Sequence, residues 1–328
     1  MDVLSVDDVR ALEQICPGGL TQNENLALLS QWKVGGFADL VISPSKTAEL
    51  AALRKFFKVR SIPHIVIGKT SNLLFADDGL RVPCIRIGNR MAGIQITDTN
   101  MQAQAGCWVP SIARRAMQAG LTGIEHICGI PGTLGGLICM NGGSQRKGIG
   151  SHILTVESVN DAGYVVNRSV EECGFSYRHS IFHDNNEIIS AATLRLAPGD
   201  RDKIRSELRE ILGSRRRKFP RKQPNCGSTF ISDPALYAEY GSPGSIIENL
   251  GFKGMKIGGA KVSELHANFL VNVGGAKAQD ILALIWTINI AVKENTGRAL
   301  LAEVRYVSPQ GQTWAASEVN PIMRDTSK

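Results

Sequence analysis

The sequence predicts an α+β fold in which short strands alternate with a few helices. Three observations support this class. Strand-like segments recur between Trp32 and about Leu196, two strongly amphipathic helical segments follow, and a proline-bearing basic segment at 219–224 separates those two helices. At 328 residues the chain is long enough for two or three domains, and we place a domain boundary in the basic segment.

The individual elements are predicted from apolar periodicity and turn residues. Strands are expected at 65–67, 85–87, 102–104, 156–159, 188–196 and 303–307. Helices are expected at 47–58, 110–119, 202–217 and 278–294. The second of these helices has Pro110 near its start and Gly120 just past its end, as helix boundaries prefer. After Ser308 the chain turns polar, which predicts a frayed tail.

Composition restricts the classes of protein to which the chain can belong. With 43% hydrophobic and 20% charged residues it is typical of a globular protein, and no apolar run approaches the roughly 18–20 residues that span a bilayer. The N-terminus lacks the pattern of a signal peptide, which predicts a cytoplasmic location. Seven scattered cysteines without a CxxC pair support neither a disulfide framework nor a zinc site, and we predict no structural metal.

Glycines concentrate in the segment from Gly129 to Gly143. Glycine loses more backbone entropy on folding than other residues, and close approach of the backbone to a ligand, especially a phosphate, offsets that loss. The segment therefore predicts a nucleotide-like cofactor, with an ordinary glycine-rich surface loop as the alternative. Gly68-Lys69-Thr70 is not a P-loop, because Pro63 occupies the position of the required upstream glycine, and the chain has no GxGxxG or GxSxG motif.

Six cations occupy eight residues in Arg215–Lys218, Arg221 and Lys222. Such a run is compatible with nucleic acid, with an anionic small molecule, or with a solvated helix end that the helix dipole favours. Phe219 is the one aromatic residue among these cations, which weakens the nucleic-acid interpretation.

Four segments carry a resemblance to a known family. They are Trp32–Asp39 (WKVGGFAD), Ile67–Leu74 (IGKTSNLL), the glycine segment, and the set FSYRHS at 175–180, NCGSTF at 225–230 and EVR at 303–305. Together and in this order, they resemble the UDP-N-acetylenolpyruvoylglucosamine reductases, flavoenzymes of peptidoglycan synthesis. The resemblance covers residues of about 30 to 308, and the chain is similar to the shorter type that lacks an inserted Tyr loop.

The resemblance implies a fold, a cofactor and a reaction. A leader at 1–30 would precede a two-lobed FAD-binding domain of the vanillyl-alcohol-oxidase type at 31–200. A linker at 201–222, a substrate-binding domain at 223–308 and a polar tail at 309–328 would follow. NADPH would reduce FAD held non-covalently, and the enolpyruvyl group of UDP-N-acetylglucosamine enolpyruvate would then be reduced. The implied partners are the UDP-sugar and NADPH, without nucleic acid or membrane, and the protein would be a monomer.

The resemblance also assigns residues to roles. Arg178 would bind the substrate carboxylate, Glu303 would donate a hydrogen bond to it when protonated, and Ser228 would protonate the α-carbon. The expected substrate contacts are Tyr177, Lys218, Lys222, His266 and Asn268. The expected cofactor contacts are Gly68, Lys69, Thr70, Ser71, Asn72, Leu73, Gly129, Ile130, Pro131, Gly132, Thr133, Gly135, Gly136 and Asn141.

The chain departs from the family pattern at Gly142–Lys147, where the family usually has an Ala-Gly-Ala-Tyr sequence. A paralogue that reduces a related substrate therefore stays open as an alternative. Two further alternatives are an alcohol oxidase of the same flavin fold and a non-catalytic regulatory protein that uses the basic run to bind nucleic acid. Retention of Arg178, Ser228 and Glu303 argues against the last of these.

Overall fold

The structure is a computed structural model that describes residues 4–321, which form two compact units. Unit 1 holds the residues up to 22 together with 40–69 and 83–215, and unit 2 holds 23–39, 70–82 and the residues from 216 onward. The α-helices are α1 (Val6–Ile15), α2 (Leu26–Leu29), α3 (Thr47–Val59), α4 (Val109–Gln118), α5 (Leu134–Cys139), α6 (Arg201–Lys218), α7 (Pro234–Tyr240), α8 (Pro243–Asn249) and α9 (Ala278–Thr296).

The strands are short and are distributed along the whole chain. They are β1 (Leu20–Asn25), β2 (Phe37–Ile42), β3 (Ile65–Ile67), β4 (Leu73–Phe75), β5 (Cys84–Arg86), β6 (Ile94–Thr97), β7 (Asn100–Gln104), β8 (Leu121–Thr122), β9 (Gly143–Ser144), β10 (Lys147–Gly148), β11 (Ile153–Val159), β12 (Val165–Ser169), β13 (Ile188–Arg195), β14 (Ala197–Pro198), β15 (Lys256–Ile257), β16 (Ala260–Val262), β17 (Leu270–Asn272), β18 (Arg305–Val307) and β19 (Thr313–Ala315).

Unit 1 contains a five-stranded antiparallel sheet in the order β12-β11-β13-β7-β6. The central strand β13 is an almost continuous apolar run, Ile188–Arg195, and nearly all of it is buried, as expected for a strand covered on both faces. A second sheet pairs β2, β5 and β3 in parallel, with Val41 and Ile65 both opposite Cys84. Mixed pairing of this kind, with helices set between strands, is typical of an α+β unit.

The helices of unit 1 bury one face each against these sheets. Leu50, Leu53 and Phe57 of α3 lie one helical turn apart and are essentially inaccessible to solvent. Pro110 occupies the first turn of α4, where a missing N–H is harmless, and Gly120 has φ of 70° just beyond its last turn. Each fully buried side chain of this size contributes roughly 1.5–3 kcal/mol to folding.

Unit 2 has its own core, formed around α9. Ile281, Leu284, Ile285, Ile288 and Val292 form the predicted apolar stripe of this helix, and all five are fully buried. Two three-stranded sheets belong to the same unit, in the orders β15-β16-β17 and β19-β18-β4. The core of unit 2 therefore draws on segments that are more than 200 residues apart in the sequence.

Trp32 links the early part of the chain to this core. Its side chain is fully buried, and its indole N–H donates to the Leu270 carbonyl at 2.8 Å. The side-chain amide of Asn272 donates in turn to the Trp32 carbonyl at 2.9 Å. A buried indole normally finds such a partner, and here the bond joins residue 32 to β17.

The predicted elements agree well with those observed, apart from the chain termini. The four predicted helices correspond to α3, α4, α6 and α9, and their ends fall within two residues of the predicted ones. The predicted polar tail is wrong for residues 313–318, because β19 pairs with β18 and a 3₁₀ turn follows it. Residues 322–328 of that tail lie outside the described residues. The predicted strand at 303–307 begins only at Arg305.

The order of the units along the chain differs from the predicted linear order of domains. The predicted leader is not a separate segment, because Leu12 of α1 and Leu26 of α2 are fully buried. Residues 23–30 of the predicted leader, and residues 31–39 and 70–82 of the predicted domain at 31–200, belong to unit 2. The reason is the parallel pairing of β4 with β18, in which Leu73 is opposite Arg305.

Within residues 4–321, no helix combines the length and the apolar character that crossing a membrane requires. The same part of the chain holds no group of three or more His, Cys, Asp or Glu side chains placed to bind a metal ion.

Candidate active site

Arg178 lies in a tight turn of unit 1. Ser176 and His179 form an isolated antiparallel bridge, in which each N–H donates to the other residue's carbonyl, at 3.1 and 3.3 Å. Tyr177 and Arg178 are therefore the two residues at the tip, and Arg178 has φ of 58°. A non-glycine residue in this left-handed region costs roughly 1–2 kcal/mol. Strain of this kind is concentrated at functional positions, where the surroundings maintain it.

The segment that follows the turn is anchored to the glycine segment. Ser180 is fully buried, and its hydroxyl donates to the Cys139 carbonyl at 2.7 Å. The His179 imidazole lies 3.0 Å from the Asp184 carboxylate, and its ring stacks on His183. Arg178 is therefore presented from a turn whose base is held by buried contacts.

The glycines predicted to bind the cofactor make unusually close backbone contacts. A Cβ atom at Gly68 would lie 2.5 Å from the hydroxyl of Thr133, and one at Gly129 would lie 2.4 Å from the Arg215 side chain. Gly135 approaches Ala105 so closely that a Cβ would lie 3.1 Å from the Ala105 Cβ. The side chains of Thr133, Arg215 and Ala105 thus pack directly on the backbone of these three glycines within unit 1.

Several amides of this segment are engaged within the protein. The Leu134 and Gly135 N–H groups donate to the carbonyls of Cys107 and Ala105, at 2.9 and 2.8 Å. The Ile130 N–H donates to Ile127, and the Gly136 N–H approaches the Thr133 hydroxyl at 3.4 Å. Gly132, Pro131 and Thr133 complete the segment, and the Gly132 carbonyl accepts from Val109. The amides of Ile130, Leu134, Gly135 and Gly136 are therefore directed at partners within the protein.

The loop from Gly68 to Leu73 is divided between the units, with Gly68 and Lys69 in unit 1 and the remainder in unit 2. Thr70 is buried with φ of 54°, a conformation that is a clear outlier for a β-branched residue. Its hydroxyl donates to the Leu29 carbonyl at 3.0 Å, which helps to maintain the turn. Ser71 and Asn72 are half-buried, and the Asn72 carbonyl accepts from the Arg305 N–H.

Ser228 and Glu303 lie on neighbouring backbone segments of unit 2. The Glu303 N–H donates to the Thr229 carbonyl at 2.8 Å, and Phe230 forms an isolated antiparallel bridge with Ala302. Both Ser228 and Glu303 are half-buried. Two predicted catalytic residues that are 75 positions apart in the sequence are therefore neighbours in the structure.

Two asparagine side chains hold the Ser228 loop. Asn225 accepts from the Gly227 N–H at 2.9 Å, in a turn where Gly227 has φ of 80°. The buried Asn268 amide accepts from the Phe230 N–H and donates to the Phe230 carbonyl, both at 2.9 Å. Both ends of this amide are engaged. The geometry therefore favours a role for Asn268 in holding the loop, in place of the substrate contact that was predicted for it.

His266 packs in a small aromatic cluster of unit 2. Its ring lies 5.6 Å from Phe219 and 5.0 Å from Phe269, and its Nδ1 accepts from the Asn268 N–H at 3.2 Å. Burial lowers the pKa of His266, with the Lys253 charge acting in the same direction. The imidazole is therefore neutral at neutral pH with its proton on Nε2, which can serve as a hydrogen-bond donor.

The other predicted substrate contacts are at the surface. Lys218 ends α6 and Lys222 follows it, and both are exposed, as is Tyr177 in unit 1. Sequence reasoning missed the position of Arg215, which packs on Gly129. Arg215 was counted only as one cation of the basic run, although its place one helical turn after Leu212 could have indicated that it faces inward. Asn268 was identified, but its role as a support for the Ser228 loop has no signal in the sequence.

The fold is that of a flavoprotein. Residues 38–169 match the family described as an FAD binding domain, and residues 219–307 match the C-terminal domain of UDP-N-acetylenolpyruvoylglucosamine reductase. UDP-N-acetylenolpyruvoylglucosamine reductase 1 from Corynebacterium glutamicum is 42% identical over 295 residues, which is 90% of this chain and 88% of that protein. Another, from Heliobacterium modesticaldum, is 38% identical over 90% of this chain and 92% of that protein.

The chain belongs to the UDP-N-acetylenolpyruvoylglucosamine reductase family. Its fold agrees with the crystal structure of the Thermus caldophilus enzyme, with a TM-score of 0.73 and 29% identity over 86% of this chain and 97% of that one. The predicted family and the predicted α+β class, with an FAD-binding domain and a C-terminal domain of this family, are confirmed.

Proposed function

We propose that this protein is an NADPH-dependent flavoenzyme that reduces the enolpyruvyl group of UDP-N-acetylglucosamine enolpyruvate to the lactyl ether of UDP-N-acetylmuramate. The observation that carries the proposal is the backbone hydrogen bond from the Glu303 N–H to the Thr229 carbonyl, which brings the segments that carry Ser228 and Glu303 side by side. These segments are adjacent in a chain of this reductase family.

The residues of the glycine segment fit FAD. Both the glycine segment and Gly68 lie within residues 38–169, which match an FAD binding domain. The close contacts with Thr133 and Ala105 require glycine at positions 68 and 135 and so fix the course of the backbone there. We propose that Gly68–Leu73 and Gly129–Gly136 hold the cofactor, with Arg215 as a cation beside Gly129. Bound FAD would supply a hydride, taken from NADPH, to the β-carbon of the enolpyruvyl group.

Addition of a hydride to the β-carbon places negative charge on the α-carbon and its carboxylate. The planar guanidinium of Arg178 can form two parallel hydrogen bonds to that carboxylate and so stabilise the charge. Glu303, in its protonated form, can donate a third. Stabilisation of developing charge by such preorganised groups is commonly the largest single contribution to catalysis.

Ser228 completes the reaction by giving a proton to the α-carbon, which balances the hydride on the β-carbon and yields the lactyl ether. Solvent returns the proton to the serine afterwards. The Asn225 and Asn268 contacts limit motion of the loop, so the Ser228 hydroxyl is held for this transfer.

The exposed cations after α6 suit the diphosphate of a UDP-sugar. We propose that Lys218 and Lys222 bind it electrostatically, with Tyr177 and the neutral His266 as further substrate contacts. We further propose a cytoplasmic monomer that binds neither nucleic acid nor membrane.

The test is a separation of the two half-reactions. The purified protein with bound FAD is reduced by NADPH without oxygen and is then mixed with UDP-N-acetylglucosamine enolpyruvate, while flavin absorbance is followed. We expect rapid reoxidation by the substrate in the parent protein and a loss of at least about 100-fold in Ser228→Ala. Lys218→Met with Lys222→Met should raise KM with little change in kcat. Flavin that NADPH reduces but this substrate does not reoxidise would refute the assignment and favour a paralogue.

A further inference from the structure

We propose that Asn141 is a positioning residue that holds the Arg178 turn, and that its side chain contributes to the reaction through this turn. The inference rests on the proposed role of Arg178. It differs from the cofactor contact that the sequence predicts for Asn141. It concerns residues of unit 1 alone.

The two ends of the Asn141 amide bind two different segments. Its Oδ1 accepts from the Gly150 N–H at 3.0 Å, and its Nδ2 donates to the Ser176 carbonyl at 2.8 Å. Ser176 is the residue whose backbone closes the turn by pairing with His179. The Asn141 side chain therefore bridges the chain at residue 150 to the base of the turn that carries Arg178.

Packing around this bridge leaves little freedom. A Cβ at Gly148 would lie 2.5 Å from the Asn141 Oδ1, and one at Gly150 would lie 2.7 Å from the ring of Phe175. Phe175 directly precedes Ser176. Phe175, at the start of the turn, thus packs on Gly150, whose N–H is the partner of Asn141, so the contacts reinforce one another.

Asparagine meets two requirements at this position. Residue 141 has φ of 38°, in the left-handed region that asparagine tolerates better than most residues. The bridge also needs one acceptor and one donor on a short side chain, which an amide provides and a carboxylate does not. Glycine would satisfy the backbone alone, and aspartate would keep only the acceptor.

The turn needs such support because its own bonds are long. The two bonds of the Ser176–His179 bridge measure 3.1 and 3.3 Å, and Arg178 is in a strained conformation. A guanidinium that binds a carboxylate through two hydrogen bonds tolerates little displacement, and an error of 1 Å in position can lower a rate by about 100-fold. Loss of the Asn141–Ser176 bond should therefore impair the step in which the substrate carboxylate is bound.

The experiment compares Asn141→Asp with the parent protein in the two half-reactions, both with FAD bound. Aspartate keeps the acceptor for Gly150 and places an oxygen opposite the Ser176 carbonyl. We expect flavin content and the rate of reduction by NADPH to stay within about twofold of the parent. Reoxidation by the enolpyruvyl substrate should fall by about 10-fold or more. Hydrogen exchange at the amides of Ser176 and His179 should become faster, which is a readout independent of activity.

Asn167→Asp, an equal change of charge on an exposed residue of β12, is the matched control and should behave as the parent. A double variant with Arg178→Lys should be hardly slower than Arg178→Lys alone, because both changes affect one contact. If Asn141→Asp does not fold, Ser180→Ala takes its place, because it removes the bond to the Cys139 carbonyl and so loosens the same turn. It should likewise slow reoxidation by the substrate and leave reduction by NADPH unchanged.

Two results would overturn the inference while the proposed function stands: an equal loss in both half-reactions together with a loss of FAD, or reoxidation at the parent rate. If the parent protein itself is not reoxidised by the substrate, the proposed function fails and the inference fails with it.

Discussion

At the scale of single residues, three non-glycine residues with positive φ lie in the candidate site. They are Thr70, Asn141 and Arg178. Each such residue costs about 1–3 kcal/mol unless its surroundings compensate, and each has such surroundings here. Thr70 bonds Leu29, Asn141 bonds Gly150 and Ser176, and the Arg178 turn is anchored through Ser180. Hydrogen bonds to neighbouring segments therefore accompany the left-handed backbone at all three positions.

His126 provides a prediction at the same scale. It is 2% exposed, and neither ring nitrogen forms a hydrogen bond of normal geometry with a described residue. Burial, with the nearby His152 and Lys147, lowers its pKa from 6.5 to about 4. Between these values the unfolded chain binds the proton more strongly, so the contribution to stability is complete above pH 6.5 and declines as the pH falls towards 4.

We expect His126→Phe to be close to neutral at pH 7 and to stabilise the protein by about 2 kcal/mol at pH 5. Urea unfolding at the two pH values measures both. His64→Phe is the matched control, and it should destabilise the protein at pH 7. The buried Arg54 donates to the His64 ring at 2.7 Å and would lose that acceptor. A variant of His126 that loses stability equally at both pH values would contradict the argument.

At the scale of elements, Asn268 gives the prediction for the Ser228 loop. Its replacement by alanine leaves the buried Phe230 N–H and carbonyl without their amide partner, at a cost of about 2–4 kcal/mol. Because the same residue holds the loop that carries Ser228, kcat should fall about 10-fold or more, with a smaller effect on KM. Thermal unfolding and steady-state kinetics of the FAD-bound protein measure these effects.

Asn272→Ala serves as the comparison for Asn268→Ala. The Asn272 side chain binds the Trp32 carbonyl and the Gly274 N–H, away from the Ser228 loop. This variant should lose a similar amount of stability and keep its kcat. A fall in kcat of the same size in both variants would show that Asn268 acts through general stability alone.

Elements with strong periodicity could be predicted from the sequence, and pairings between distant segments could not. The ends of α3 and α9 were predicted to within two residues from their apolar faces, because an apolar stripe at helical spacing is a local signal. The pairing of β4 with β18 joins residues 73–75 to 305–307, and three-residue strands carry no information about their partners. For the site, the motifs identified Ser228 and Glu303 through a family resemblance, whereas the hydrogen bond from Glu303 to Thr229, which brings their segments side by side, appears only in the fold.

At the scale of the whole molecule, the interleaved units predict that the chain cannot be divided at the basic segment. A fragment of residues 1–218 retains Trp32, Val34 and Leu74, whose buried positions in the full chain are in the core of unit 2. Without that core these side chains are exposed to solvent, so we expect an aggregating product that binds a hydrophobic dye. Circular dichroism, dye fluorescence and gel filtration compare it with the full chain.

A monomeric, cooperatively unfolding fragment that binds FAD would contradict this expectation and support the linear order of domains. Aggregation would show that the two family matches, at residues 38–169 and 219–307, do not correspond to pieces of the chain that fold independently.

The isolated bridge between Trp108 and Thr133 has an optical consequence. Of the four tryptophans, Trp108 alone belongs to unit 1, and it is 43% exposed, whereas Trp32 is fully buried. The bridge sets the Trp108 backbone beside Thr133, whose side chain approaches Gly68. With FAD held by the glycine segment, as proposed, we expect energy transfer to the isoalloxazine ring to quench the emission of Trp108. Trp108 would then serve as an intrinsic fluorescent reporter for FAD binding.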